Sequence, residues 1–354
     1  MRSITQWPSW LYQRYSRLWE HAALSAGWAW LYVVCDASVD AFPIQWRVVL
    51  AVLILVGGVW KPIVAYALFI AAVAYPLYLV SVYLMALALA VLILSAPAVA
   101  RFLPQLLTVL ISPIFAPYHL TPVWPLLAGV WWGETAGAVV GGATALWLKL
   151  CAGMTGASPG LWQINGWTMA IDPLYARFHD ANSLQTLVLL GQPLARDSLF
   201  LLFNVLQVLA WTAAGFVAGY LARRLHTGRG RGWTVALSLG PALVILWAGY
   251  VAVPSWLQIA GPRWLIPRWL PAQVLLAGVG AWVIDSLARY FQRPVVSGGA
   301  ARPFAPRFSW FSKRPRSRWQ DEGKSARDPL VLIKKTQPQK QNEGEDDIIM
   351  LELD

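Results

Sequence analysis

Charged residues fall in blocks along this chain, and two long stretches have none. Positions 62–100 and 102–133 contain no Asp, Glu, Lys or Arg, and only Arg101 divides them. A helix in a soluble domain turns a polar face to water and needs only an apolar stripe. An uncharged run longer than about 18 residues marks a segment whose solvent is lipid. Apolar runs place candidate spans at 22–35, 48–60, 63–80, 81–96, 102–115, 123–132, 135–153, 199–222, 233–253 and 270–290. The last three are the cleanest. Earlier ones are short and interrupted by Pro76, Pro104, Pro113, Pro117, Pro122 and Pro125. Proline removes a backbone donor and clashes with the preceding turn, so these helices are expected to kink or stop. Backbone freed at membrane depth must be buried in protein or face a wet cavity. The pattern predicts an all-α fold, a polytopic transmembrane helix bundle of about eight to ten spans, several short or proline-broken.

The runs divide the chain into five regions. Residues 1–21 read as a cytoplasmic amphipathic lead-in, since they lack the compact apolar core and cleavage site of a signal peptide. Residues 22–153 and 198–291 hold the membrane helices. Between them, 154–197 reads as an extracytoplasmic loop, turn-rich at first, with 183–190 apolar enough to lie along the interface. Residues 292–354 form a polar, Pro-rich tail expected to be disordered and cytoplasmic.

Composition agrees with this division. The chain is 58% hydrophobic and 13% charged, against roughly 25% charged in soluble domains. Many of its 22 tryptophans end apolar runs, among them Trp46, Trp60, Trp124, Trp233, Trp256, Trp264 and Trp269. That is the placement of an interfacial aromatic belt. Arg223, Arg224, Arg229 and Arg231 crowd one short connection, which orients it and the tail to the cytoplasm. Arg263 and Arg268 then fall outside, two against four. The localisation expected is the plasma membrane, with both termini inside. The net charge of +11 accordingly points to anionic lipid rather than nucleic acid.

Candidate chemistry is sparse. Gly133, Gly137 and Gly141 recur every four residues, followed by Gly142 and Ala145, and Gly215 and Gly219 form a second pair. Small residues on one helix face let backbones approach closely in lipid. The expected role is packing between this chain's own helices, with docking of a separate membrane subunit as the alternative. Glu134 lies within the first glycine run. A carboxylate in hydrocarbon must protonate or find a partner, so Glu134 is either an intramembrane proton or substrate site or a wet helix end. Asp36 and Asp40 share a helix face and read as solvated residues at a span end, or as paired carboxylates able to hold a metal. Asp285 and Arg289 have ion-pair spacing. His179–Asp180 is the one polar cluster suited to acid–base work, and a hydrated loop would hold it equally well. Cys35 and Cys151 give neither a disulfide framework nor a metal spacing, and no catalytic, cofactor-binding or metal-binding motif is present.

The tail has two halves. Arg302, Arg307, Lys313, Arg314, Arg316 and Arg318 interleave with Phe304, Phe308, Trp310, Phe311 and Trp319. Beside a span, this reads as binding to the anionic inner leaflet. The terminus is acidic around Ile348, Ile349, Met350, Leu351 and Leu353, a segment suited to docking on a cytoplasmic protein partner. In layout, short Ala/Gly-rich spans around an arginine-rich connection, residues 63–290 resemble the membrane-embedded substrate-binding components of vitamin-type importers. That resemblance implies docking to an energising subunit and rests on no diagnostic residue. The function expected is that of a non-enzymatic component of a membrane assembly. The alternatives are a transporter or substrate-binding subunit with its site near Glu134, and a membrane enzyme using the outer loop.

Overall fold

The computed structural model describes residues 14–118, 120–155, 171–192, 194–225 and 231–258, with position 12 and a few positions between 272 and 286. Every element assigned among them is helical. In chain order they are α1 (Ser16–Val39), α2 (Ile44–Trp60), α3 (Pro62–Val80), α4 (Val82–Val99), α5 (Leu103–Ile111), a 3₁₀ segment (Ser112–Tyr118), α6 (Val123–Trp132), α7 (Glu134–Met154), α8 (Ile171–Phe178), α9 (Ser183–Gly191), α10 (Ser198–Leu225), α11 (Arg231–Trp247), a π-helical turn (Ala248–Ala252) and α12 (Val253–Trp256). By contact, the chain divides into Met1–Ala301 and Arg302–Asp354, and the second unit lies outside the described residues.

Five stretches are long and apolar enough to cross a membrane: Ser16–Val39, Pro62–Val80, Glu134–Met154, Ser198–Leu225 and Leu239–Trp256. Four other expected spans are shorter apolar helices, Ile44–Trp60, Val82–Pro97, Leu103–Ala116 and Val123–Trp132. Most of the expected span at 270–290 lies outside the described residues, though 275–280 is helical. Large apolar side chains such as Val56, Leu94 and Val139 stand exposed on the helices, a surface suited to hydrocarbon rather than water.

Proline does less damage than its placement in the sequence predicts. Pro62 and Pro104 occupy the first turns of α3 and α5, and Pro122 is the residue before α6. First-turn N–H groups have no intrahelical partner, so nothing is lost there. Pro76 lies inside α3, which continues one further turn and ends at the extended Ser81. Pro113 and Pro117 lie in the 3₁₀ segment, where the α-helix has already given way.

The apolar interior falls into two main clusters. One joins α1, α2, α3 and α5 around Trp28, Leu31, Tyr66, Phe69 and Leu103. The other joins α6, α7, α10 and α11 around Leu126, Leu148, Trp211, Ala214, Leu239 and Leu246. A smaller cluster of Val80, Leu84 and Phe178 seats the short helices α8 and α9 on the ends of α3, α4 and α7, with Met154 and Leu189 packed against it. Helix α9 begins with a reciprocal cap: Asn182 Oδ1 accepts from Gln185 N–H at 2.8 Å and Gln185 Oε1 from Asn182 N–H at 2.9 Å.

Candidate functional site

Helices α6, α7 and α10 meet through backbone. A Cβ added to Gly137 would collide with the carbonyl oxygen of Gly215, and one on Gly215 with the carbonyl oxygen of Gly137. At Gly141 it would strike the carbonyl oxygen of Trp211. At Gly219 it would lie 2.6 Å from the amide nitrogen of Glu134, and at Gly129 2.9 Å from that of Gly219. As residue numbers rise on α7 they fall on α10, so the two helices run antiparallel. Contacts this close need residues without side chains, and they supply dispersion attraction where lipid offers no hydrophobic drive. Gly133 meets Gly219 through its carbonyl carbon, which would lie 2.6 Å from a Cβ added to Gly219, but its own Cβ position is open. Nothing would lie within 4 Å of its Cβ, and its φ of +92° joins α6 to α7 in a conformation that favours glycine.

Glu134 is the first residue of α7, at the end of the bundle. Its Oε1 accepts from Arg223 Nη1 at 2.9 Å, with the side chains 23% and 68% exposed. The carboxylate also sits at a helix N-terminus, where the backbone dipole favours negative charge. Arg224, beside its partner, lies over the Tyr220 ring at 4.7 Å. The arginine-rich connection thus supplies the counter-charge that sequence spacing alone did not assign to Glu134.

The deeper ionisable group is Lys149, which is fully buried. Its Nζ donates to Asn204 Oδ1 and to Gln207 Oε1, at 2.6 Å each, and lies 5.4 Å from the Phe203 ring centre. Asn204 Nδ2 donates in turn to the Leu194 carbonyl at 2.7 Å. Asn204 and Gln207 are three apart on α10 and therefore share a face. Lys149 follows Glu134 by fifteen positions on α7, roughly 22 Å at the helical rise. The cluster therefore sits near the end of the helix pair opposite the Glu134–Arg223 contact. A lysine inside a span marks a functional or locking role by default. The signal was present in the sequence: Lys149 is the sole charged residue of the run 135–153.

The remaining candidates are more modest. Asp36 and Asp40 are joined by Arg47, whose Nε donates to Asp36 Oδ2 at 2.5 Å and whose Nη2 donates to Asp40 Oδ1 at 2.8 Å. Asp36 is buried and Asp40, the C-cap of α1, is exposed, so the two are not an equivalent solvated pair. His179 and Asp180 contact each other at 2.9 Å on an open surface. No group of three or more metal-ligating side chains occurs among the described residues. Asp285, Arg289, the basic residues Arg302, Arg307, Lys313, Arg314, Arg316 and Arg318, and the terminal Ile348, Ile349, Met350, Leu351 and Leu353 lie outside the described residues.

Among the described residues the arrangement is all-helical, with apolar helices of membrane-crossing length knit by a glycine seam and a buried lysine–amide cluster. No protein-family model, curated protein or solved structure matches the chain. The likeness in layout to importer components therefore carries no argument.

Two sets of substitutions test the geometry. Gly137→Val or Gly215→Val is expected to cost more than about 3 kcal/mol, because the obstructing atoms are backbone and cannot move aside. Gly240→Ala, which meets nothing within 4 Å, should be tolerated in the same thermal-unfolding assay. Asn204→Leu/Gln207→Leu should lower the melting temperature by the equivalent of about 3 kcal/mol, since it removes two hydrogen-bond acceptors from a buried ammonium. Adding Lys149→Met should restore much of the loss. No recovery on adding it would mean that the lysine does not depend on those amides.

Proposed function

We propose that this protein is a multi-pass plasma-membrane protein acting as a non-enzymatic component of a larger assembly. The observation that carries the reading is the α6–α7–α10 seam, in which helix backbones are in contact along the bundle interior. Such an interior is a rigid platform, with glycine faces turned inward against this chain's own helices and away from other subunits. Docking then falls to the cytoplasmic tail. Its basic–aromatic half holds the anionic inner leaflet, and residues 343–354 bind a protein partner.

Orientation follows from charge. Alternating helix directions bring the start of α1, Lys61, Arg101, the α6–α7 junction and the C-terminus of α10 to one face. That face carries Arg14, Arg17, Lys61, Arg101, Arg223 and Arg224 against Glu20 and Glu134. The opposite ends carry Asp36, Asp40, Asp180 and Asp197 against Arg47, Arg177 and Arg196. The positive-inside rule makes the first face cytoplasmic.

Lys149 favours a second reading, a transporter or substrate-binding subunit, with the polar site at Lys149, Asn204 and Gln207 in place of Glu134. Buried cations of this kind recur on substrate pathways.

Deleting residues 343–354 is expected to leave expression intact and to abolish co-purification of a partner from native membranes. An unchanged set of co-purifying proteins contradicts the docking role. For orientation, Arg101→Cys and Arg224→Cys in a Cys35→Ser/Cys151→Ser background should react with an impermeant maleimide only from the cytoplasmic side. Asp40→Cys should react only from outside.

A further inference from the structure

Helices α10 and α11 part along one side. Between them lies an open apolar cavity of about 490 Å³. One wall is a face of α10 from Leu206 to Ala213, and the other is a face of α11, the π-helical turn and α12 from Ile245 to Trp256. Lining positions on each wall recur at spacings of three and four, so each wall is a single helix face. Half of the lining residues are small: Ala210, Ala213, Ala248, Gly249 and Ala252. A Cβ added to Gly249 would lie 2.6 Å from the Cβ of Ala210, so the helices touch there and close the bottom of the cavity. Ala248, Gly249 and Ala252 belong to the π-helical turn, a distortion that recurs at functional sites. Tyr250, in the same turn, faces inward and accepts from Trp211 Nε1 at 2.6 Å. Its three small neighbours are left to face the cavity.

The cavity is continuous with the apolar outer surface of the bundle. Leu209 in its wall is exposed, as are Val244 and Trp247 beside it, and Leu239–Trp256 is one of the stretches of membrane-crossing length. No lining side chain is charged, and the Trp256 indole N–H is the one polar group among them. Water needs several polar partners, so this surface takes hydrocarbon instead. Dimensions select the form of that hydrocarbon. Ile245 to Trp256 spans eleven positions, roughly 16 Å at the helical rise, which is about half the thickness of a bilayer core. Spread over that length, the volume gives a cross-section of about 30 Å², against roughly 80 Å² for a helix 10 Å across. The groove is too narrow for a neighbouring helix and matches one extended chain from one leaflet.

We propose that this groove binds one acyl chain of a phospholipid from the leaflet at the Ser198 end of α10. Because Gly249 meets Ala210, α11 runs back along α10 and brings Trp256 toward that end. The exposed indole of Trp256 then lies at headgroup level, where tryptophan is favoured. A chain in the groove touches protein on both sides and beneath, whereas an ordinary boundary lipid touches one surface. It gains correspondingly more dispersion contacts and is retained where boundary lipid exchanges. The site needs only a membrane location. It stands or falls apart from the assembly role, the tail and Lys149.

Photo-leucine incorporated into the full chain tests it, because Leu206 and Leu209 then carry the crosslinking group inside the groove. After purification in mild detergent, irradiation should give phospholipid adducts at these two positions at least fivefold more often than at Leu55 and Leu94, which are exposed on other helices. Equal yields at the four positions overturn the site, as does the absence of phospholipid adducts in the groove. Irradiation in native membranes before extraction should give the same phospholipid adducts. A polypeptide crosslinked at Leu206 or Leu209 in place of lipid also overturns it. Ala252→Phe fills the groove from an exposed position. In membranes it should lower the Leu206 and Leu209 adducts several-fold and leave those at Leu94 unchanged. Undiminished groove adducts in that variant contradict the proposal. If the variant does not fold, the comparison within the unmodified chain decides.

Discussion

Close approach of backbones is the constraint on which the second half of this protein depends. Where Gly137 meets Gly215 and Gly141 meets the Trp211 carbonyl, neither helix has room for a single added carbon. In water such a seam would be one contribution among many, because apolar side chains would drive the same helices together. In lipid the surroundings are as apolar as the side chains, so association rests on contact itself. The seam also sets register. With α7 and α10 locked antiparallel at their glycines, Glu134 falls beside Arg223 and Lys149 falls beside Asn204 and Gln207. Two polar contacts at opposite ends of one helix pair thus follow from the same packing.

The two ends differ in environment. Glu134 and Arg223 meet partly in solvent, where an ion pair adds little. Lys149 is enclosed, and hydrogen bonds to a charged group are stronger there. Breaking that cluster is costly because the ammonium would stay buried with fewer partners. Helix α1 is satisfied less completely. Trp28 Nε1, the Tyr32 hydroxyl and Asp36 Oδ1 are buried without a hydrogen-bond partner among the described residues, while Asp36 Oδ2 accepts from Arg47.

Much of the helix layout was legible in the sequence. The uncharged runs at 62–100 and 102–133 placed α3 to α6, and Arg101 lies in the turn between α4 and α5. Four-residue glycine spacing marked α7 and α10. What each face meets was not legible, because spacing identifies a face and says nothing of its partner. Glu134 resembled an intramembrane acid because its counter-charge, Arg223, is far away in sequence. One lysine near the end of an apolar run, as Lys149 is, resembles a snorkelling residue and gives no sign of its burial. Its true environment depends on two amides contributed by a helix beyond the intervening loop. The place of Asp36 at a span end suggests solvent or a carboxylate pair, yet Arg47 folds over it from the next helix.

The antiparallel α7–α10 seam is tested most directly by a crosslink. A Cβ on Gly142 would lie 3.8 Å from the Cβ of Thr212, the separation of about 3.8 Å that a disulfide requires. In a background with Cys35→Ser and Cys151→Ser, Gly142→Cys/Thr212→Cys should oxidise to an intramolecular disulfide in native membranes. Gly142→Cys/Phe216→Cys, one turn away, should not. Failure of the first pair to close, or equal closure of both, would contradict the seam and the register that follows from it.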